Sequence, residues 1–315
     1  MSRKTEKTFR DLESYLEKHQ NEIEGEADVE RLVARFMQEN NASIFSRLEE
    51  EQSGEPTADD LLELAEDAPS SKKRFEYIRK ALALEPENLD AMRMEIETEC
   101  GEDLDAMRER FAVAVSRADE IMGRDGWFGE ENIGDFWGLL ETRPYMRLRY
   151  AYFETLIACG QMKAAIEEAQ ELLRLCKGDN LGVRFRLMHI FAFLEEEDAM
   201  LRLHRTYEEY DETQMLLPLS IVCYKNGKTE QAREYLLRLF AVNPDTKKFM
   251  RQMNRGELDF LEEKEDFFGY RPFTMEELAQ EFRENTFLFI TCPGYFSWAD
   301  RELVGVKGKP GRKKK

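Results

Sequence analysis

The chain has 315 residues, of which 42% are hydrophobic and 35% charged, and its formal net charge is −19. This composition is typical of a folded, water-soluble protein, and no run approaches the ~20 apolar residues that cross a bilayer. The start lacks the apolar stretch of a secretory signal, so we expect a cytoplasmic protein without a membrane partner. The five dispersed cysteines form no CxxC pair, which excludes the common cysteine-based metal motifs.

Two amphipathic helices are predicted in the N-terminal segment, residues 1–50. They cover about 1–20 and 28–39, where apolar residues recur at helical spacing. The pair serves either as a cap on the first exposed face of the following helices or as a separate docking arm.

Residues 56–122 are predicted to contain weak helical repeats. They follow a linker, Glu51–Thr57, that is assigned by its Gly and Pro content. The predicted helices are 58–66, 71–84, 88–99 and 103–122.

The pattern breaks in an insertion at 123–140 that is rich in glycine and aromatic residues. Trp127 and Trp137 stand there among several glycines. The segment is either a packed plug anchored by its rings or a loop that exposes both tryptophans as a ligand platform.

Residues 141–245 contain three alanines, Ala165, Ala199 and Ala232, at intervals of 34 and 33 residues. A period near 34 indicates a helix-turn-helix repeat, in which the alanine lets the second helix lie close to the first. Gly160 and Gly227 stand five residues before the first and third alanines and supply the turns. The predicted units are 146–177, 180–211 and 213–244.

These units resemble the tetratricopeptide repeat family, and Ala81–Asn88 resembles the close of an earlier repeat. The middle unit has Leu194–Asp198 where the other two have a turn glycine. The positions that face the alanines, where the family has small residues, are Phe153, Leu187 and Ser220. Three phrases, at 141–145, 178–184 and 268–272, are similar to those of a bacterial subgroup of such proteins. The resemblance implies an all-α, right-handed α-solenoid of degenerate repeats and no particular activity.

A less regular helical segment, 246–304, is expected after the repeats. It has predicted helices at 246–253 and 274–284, the second with a capping box from Thr274 to Glu277. The stretch Thr286–Thr291 has strong β propensity but no partner strand, so we expect a buried connection or a helix start.

The C-terminal tail, 305–315, is basic and is expected to be disordered because it has no core-forming residues. It is either a solubilising end or an electrostatic hook for nucleic acid. The body before residue 307 carries −25, which repels nucleic acid, so such binding would use the tail alone. The basic residues are Lys307, Lys309, Arg312, Lys313, Lys314 and Lys315.

The sequence offers no assembled catalytic set, since it contains three histidines and no GxGxxG, GxSxG or HExxH motif. We therefore expect a protein that is not an enzyme and has no cofactor or metal. The resemblance instead implies a non-catalytic adaptor or scaffold whose first helices line a concave groove for a protein or peptide.

The groove positions implied by the resemblance present two arginines with tyrosine and apolar neighbours. A guanidinium binds a carboxylate in a two-pronged fork, so the expected partner carries acidic or carboxylate groups. Alternatively, the arginines only satisfy acidic neighbours on adjacent helices. The groove positions are Arg147, Tyr150, Glu154, Arg184, Met188, Gln214, Leu217, Ile221 and Tyr224.

Overall fold

The structure is a computed structural model that describes residues 3–23, 25, 28–38, 56–261 and 271–307. The described residues form an all-α fold with no strand among them. The expectations for the linker at 51–55, for 268–270 and for the tail from 308 onward lie outside the described residues.

The chain divides into two compact units between Gly178 and Asp179. This division falls inside the range 141–245, which the sequence analysis treats as one set of repeats. Each unit is therefore described by itself.

Unit 1 contains eight helices among its described residues, and six of them form three consecutive pairs, α3 with α4, α5 with α6 and α7 with α8. Helix α5 also packs against α7, so the first helices of two successive pairs touch. The bounds are α1 Arg3–Lys18, α2 28–38, α3 Ala58–Glu66, α4 Ser71–Leu84, α5 Leu89–Cys100, α6 Leu104–Arg124, α7 Arg143–Ala158 and α8 Met162–Leu175.

Unit 2 contains two such pairs, α9 with α10 and α11 with α12, and α9 also packs against α11. Four further helices follow, and α14, α15 and α16 contact α9 or α11. The bounds are α9 Val183–Leu194, α10 Glu197–Thr206, α11 Thr213–Lys225, α12 Thr229–Val242, α13 Thr246–Arg255, α14 Met275–Glu284, α15 Thr286–Phe289 and α16 Pro293–Glu302.

Side-chain caps explain why α3, α4, α5 and α6 begin within one residue of the positions that the sequence predicts. Thr57 forms a capping box with Asp60, and Ser70, Asn88 and Asp103 each accept a hydrogen bond from the amide three residues on. These caps satisfy amides that have no partner inside the helix.

The three turns between the paired helices at Gly160, Glu195 and Gly227 have one geometry. Each of these residues has a positive φ, of 71°, 64° and 74°. In each turn the next residue's amide donates to the carbonyl five residues earlier, at 2.9 Å. The left-handed conformation that glycine adopts freely is thus present in the middle unit as well, on a glutamate.

This turn geometry corrects the register of the middle repeat. Ala165 and Ala232 are the fourth residues of their helices and are fully buried. The fourth residue of α10 is Met200, which is also fully buried, whereas Ala199 is half-buried. The regular spacing of alanines in the sequence therefore misplaces the middle unit by one residue.

The insertion at 123–140 packs against other segments of unit 1, of which it is part. Phe136 is fully buried and lies 5.9 Å from the Phe128 ring, while Trp127 and Trp137 are half-buried. The Gly134 amide donates to a carbonyl at the end of α8. The phenylalanine rings thus pack as a plug requires, whereas the two half-buried tryptophans match neither full burial nor full exposure.

The N-terminus of α14 is capped differently from the prediction. The Thr274 side chain does not cap α14, because its hydroxyl donates to the Arg271 carbonyl and Glu277 accepts from the Phe273 amide. The stretch at 286–289 forms the short helix α15, in agreement with the expected helix start.

Candidate peptide-binding site

Arg147 on α7, a residue of the predicted groove, binds two carboxylates that lie far from it along the chain. Its Nε and Nη2 donate to the Asp90 carboxylate at 2.9 and 2.6 Å, and its Nη1 donates to both oxygens of Glu6 at 2.8 and 2.9 Å. The Arg147 side chain is 15% exposed, and Glu6 is fully buried. The guanidinium thus joins α1, α5 and α7.

A second guanidinium lies on the other side of the Glu6 carboxylate. Arg143 Nη1 is 3.5 Å from Glu6 Oε1, and Arg143 Nε donates to the Trp137 carbonyl at 2.8 Å. The Arg143 guanidinium also lies over the Trp137 ring, 5.5 Å from its centre. The insertion therefore holds Arg143 in the position from which it faces Glu6.

Further arginines approach the carboxylates of this cluster. Arg93 lies 3.8 Å from Asp90 and donates to Glu97 at 2.7 Å. Arg74 lies 4.0 Å from the Glu97 carboxylate. The Asp90 carboxylate is thus shared between an arginine of α5 and an arginine of α7.

Helix α1 contacts the first helices of two pairs in unit 1, α3 and α7. Glu6 and Arg10 are four residues apart and so lie on one face of α1. Glu6 binds α7, and Arg10 Nη1 donates to Asp59 on α3 at 2.6 Å. We call the surface formed by α3, α5 and α7 around Asp59, Asp90 and Arg147 the first-helix face of unit 1.

The next groove positions along α7 are less buried. Tyr150 and Glu154 are half-buried, and the Tyr150 ring lies 5.9 Å from that of Phe153. This end of α7 extends the first-helix face with a tyrosine and a carboxylate that solvent reaches.

Arg184, the predicted arginine of unit 2, is held inside its own unit. Its guanidinium donates to Asp179 at 3.1 Å and to Glu212 at 3.4 Å. It also lies over the rings of Phe185 and Tyr207, at 3.9 and 5.0 Å. For Arg147 and Arg184, the alternative of acidic neighbours on adjacent segments describes the observed contacts.

Three apolar groove positions of unit 2 do not line an open surface. Met188, Leu217 and Ile221 have no exposed area. Helices α14 to α16 pack against α9 and α11, which carry these residues. The chain's own C-terminal helices thus cover the surface that the resemblance assigns to a partner.

The two polar groove positions of unit 2 also contact these C-terminal helices. Gln214 Nε2 donates to Glu281 on α14 at 2.7 Å. The Tyr224 ring lies 5.6 Å from Tyr295 and 5.2 Å from Trp298, both on α16.

Two partners of Arg147 were missed by sequence reasoning. Asp90 stands between Leu89 and Ala91 at the start of α5, and a carboxylate among buried residues is a local signal for a charged partner. Glu6 belongs to an N-terminal helix rich in charged residues and gives no such signal. Of the predicted tail residues, only Lys307 is described, and it is exposed.

Within the described residues, no group of three or more His, Cys, Asp or Glu side chains is arranged to hold a metal ion. A search of the same residues finds no helix with the length and apolar character needed to cross a membrane. Neither a protein-family model nor a curated protein sequence matches the chain.

Proposed function

We propose that the chain is a non-catalytic adaptor whose helix pairs are those of a tetratricopeptide-like, right-handed solenoid. The adaptor binds a protein or peptide through the first-helix face of unit 1. The repeated turn at residues 160, 195 and 227 and the contacts between successive first helices support this assignment.

The observation that carries the proposal is the Glu6 carboxylate between Arg147 and Arg143. Both arginines lie on α7, the first helix of a pair, where the tetratricopeptide resemblance implies a partner-binding groove. A fixed guanidinium recognises a carboxylate by both charge and geometry, which makes this site suited to an acidic side chain.

The same argument does not extend to unit 2. There the apolar side chains at the groove positions, Met188, Leu217 and Ile221, have no exposed area, and α14 to α16 pack against the helices that carry them. We therefore assign the binding surface to unit 1.

The test uses the full chain as bait in a native extract and compares it with two charge-reversal variants. Glu154→Lys alters the accessible end of the first-helix face, whereas Glu120→Lys makes the same charge change on α6, a second helix. We expect Glu120→Lys to retain as much of an acidic partner as the wild-type chain does, and Glu154→Lys to retain more, because it replaces an anion on the first-helix face by a cation. That protein, once purified, must bind the purified chain directly.

Two results would contradict the proposal. One is that no purified protein binds the chain directly. The other is that Glu154→Lys retains the protein as well as Glu120→Lys does, because binding would then use a different surface.

A further inference from the structure

We propose that a cleft between α5 and α6 of unit 1 binds an extended segment of another protein, which presents one acidic and one aliphatic side chain. The acidic side chain binds Arg117, and the aliphatic one enters the cleft beside Val113. All residues that line this cleft belong to α5 or α6. The site is therefore distinct from the groove positions on α7 and goes beyond the proposed function.

The first observation is a row of three arginines on α6, Arg110, Arg117 and Arg124. They stand seven residues apart, which is close to two helical turns, so they lie near one face of the helix. At one end of the row, Arg110 donates to the Glu99 carboxylate of α5. At the other end, Arg124 donates to both oxygens of Glu87, at 3.1 and 2.9 Å. Carboxylates from α5 and from the turn before it thus pair with both ends of the row.

Arg117, the middle arginine, has no such carboxylate. Its one hydrogen bond goes to the Pro86 carbonyl at 3.5 Å, and among the described residues no carboxylate forms an ion pair with it. The side chain of α5 that lines the same cleft as Arg117, one turn before Glu95, is Met92, which offers no anionic acceptor. The row of ion pairs therefore has a gap at its centre.

An open cleft of about 430 Å³ adjoins this gap. It is lined by Arg117 together with Met92 and Ile96, which are buried, and Val113, which is 72% exposed. A single exposed apolar side chain is ordinary on a protein surface, so Val113 is informative only because it lines the same cleft as the two buried ones. The apolar part of the cleft can receive one aliphatic side chain.

The other charged residues of the cleft already form ion pairs. Arg110 lies 3.5 Å from Glu95, and Glu109 lies 3.1 Å from Arg108. The preference for a partner's charge is therefore set at Arg117. A guanidinium forms its strongest hydrogen bonds with a carboxylate, so the partner carries Asp or Glu there.

A second cavity, of about 590 Å³, lies on the other side of the gap and is lined by residues 85–88 and Arg117. Its carboxylates are Glu85, which accepts a hydrogen bond from Asn88, and Glu87, which binds Arg124. These carboxylates repel another anion at short range. The partner therefore carries a single acidic residue at this point and not an acidic run.

The spacing along α6 gives the spacing in the partner. Val113 and Arg117 are four residues apart, which is about 6 Å along the helix axis. Side chains two residues apart in an extended segment lie on the same side, about 7 Å from each other. The axes of packed helices are about 8–10 Å apart, so the groove between them fits an extended backbone better than a helix about 10–12 Å wide. The expected pattern is aliphatic-x-Asp or aliphatic-x-Glu.

The experiment selects binders of the immobilised full chain from a random library of ten-residue peptides displayed on phage. The library is first depleted on the Arg117→Ala chain, so that retained clones depend on Arg117. The enriched peptides are then synthesised with a fluorophore, and their affinity is measured by anisotropy. Arg79→Ala is the matched control chain, because Arg79 is an exposed arginine on α4. Circular dichroism and melting curves check that each chain is folded.

A second pair of variants changes Val113. Val113→Glu places a carboxylate four residues before Arg117, where it pairs with Arg117 on the helix and competes with the peptide. Val113→Gln removes the apolar side chain without adding a charge. Because Val113 is exposed, neither change disturbs the core.

We expect the enriched peptides to carry one Asp or Glu two positions from Leu, Ile or Val. Such a peptide should bind the wild type and Arg79→Ala equally, and Arg117→Ala at least tenfold more weakly. Val113→Glu should weaken binding more than Val113→Gln does. Replacement of the peptide's acidic residue by its amide should also weaken binding at least tenfold, and higher salt should reduce the affinity of the original peptide.

Several outcomes would overturn the inference. They are the absence of enriched clones, enriched peptides without the expected pattern, and equal binding to Val113→Glu and Val113→Gln. A spacing of four residues in the peptides would make the partner a helix, and a dimer that Arg117→Ala dissociates would make it a second copy. If no peptide binds but Glu154→Lys still changes the retention of a native partner, the adaptor function stands and only the cleft is rejected.

Discussion

His189 Nε2 on α9 lies 3.3 Å from Glu281 Oε2 on α14, and both side chains are buried. His189 Nδ1 lies 2.8 Å from the Phe185 carbonyl, which only accepts hydrogen bonds, so Nδ1 carries a proton. A neutral His189 then presents a lone pair at Nε2, and Glu281 faces it favourably when it is protonated. In the neutral pair, His189 carries no proton at Nε2 and the Glu281 carboxyl group is protonated.

This pair predicts how the stability of unit 2 depends on pH. Burial lowers the pKa of His189 from 6.5 to about 3 and raises the pKa of Glu281 from 4.5 to about 8. Between pH 4.5 and 6.5 the folded and unfolded pairs each hold one proton, so the pair's contribution to stability is constant. From pH 6.5 to about 8 the folded pair retains a proton that the unfolded chain has lost, so stability falls as pH rises.

Urea unfolding at pH 6 and pH 8.5 measures this effect. The Glu281→Gln variant is the control, because its amide is uncharged at both pH values. We expect the wild type to lose more stability than the variant between these conditions. An equal loss of stability in both proteins would show that the pH dependence comes from groups other than Glu281.

Glu195 provides a prediction about the middle turn. Its left-handed backbone costs a non-glycine residue about 1 kcal/mol. Its side chain is 56% exposed and lies 3.4 Å from Lys225 Nζ, which also donates to the Ala192 and Phe193 carbonyls, so we expect this ion pair to contribute little. Glu195→Gly should therefore stabilise the protein by about 0.5–1 kcal/mol. Glu196→Gly, at a position with φ of −84°, should instead destabilise it by a similar amount. The urea concentration at the midpoint of unfolding should therefore rise for Glu195→Gly and fall for Glu196→Gly; the opposite changes would contradict this prediction.

The same turn shows why sequence reasoning finds two units more easily than the third. Gly160 and Gly227 announce a left-handed residue by their type, whereas Glu195 adopts that conformation because the two helices it joins pack in the same way. Without the turn glycine, the alanine spacing selects Ala199 in place of Met200. Local residue type therefore predicts the helices and most turns. Tertiary packing determines which residue of α10 takes the buried position that Ala165 and Ala232 have in the other units.

The candidate site was accessible to sequence reasoning only in part. The tetratricopeptide resemblance placed Arg147 in a groove suited to carboxylate recognition, but its partner Glu6 lies 141 residues away along the chain. The same resemblance placed Met188 and Leu217 in a groove for a partner, without showing that α14 to α16 pack against the helices that carry them. Both missing facts are contacts between distant segments, which leave no trace in local periodicity.

The cysteines should differ in reactivity in the native chain. Cys100 and Cys159 are half-buried, and Cys176, Cys223 and Cys292 are buried. Burial raises the pKa of Cys223 and of Cys292 to about 11, which suppresses the reactive thiolate. Brief treatment with a maleimide at pH 7 should label Cys100 and Cys159 first, as read by peptide mass spectrometry. Rapid labelling of Cys223 would contradict the burial of α11.

The contact between Ser220 and Tyr295 predicts a coupled loss of stability. The Tyr295 hydroxyl donates to Ser220 Oγ at 2.8 Å, and Ser220 Oγ donates to the Ala232 carbonyl at 2.8 Å. Ser220→Ala leaves the fully buried tyrosine hydroxyl without this acceptor, which should cost about 1–3 kcal/mol. Tyr295→Phe should cost about 1 kcal/mol, because it removes one hydrogen bond while Ser220 keeps its own acceptor.

The double variant distinguishes this arrangement from two independent effects. With Tyr295→Phe already present, Ser220→Ala no longer leaves a hydroxyl unpaired, so the double variant should lose less stability than the sum of the single losses. A coupling energy of about 0.5–3 kcal/mol is the range for residues that share a hydrogen bond. Strict additivity of the losses in urea unfolding would mean that Tyr295 and Ser220 do not interact. That result would contradict the packing of α16 against α11.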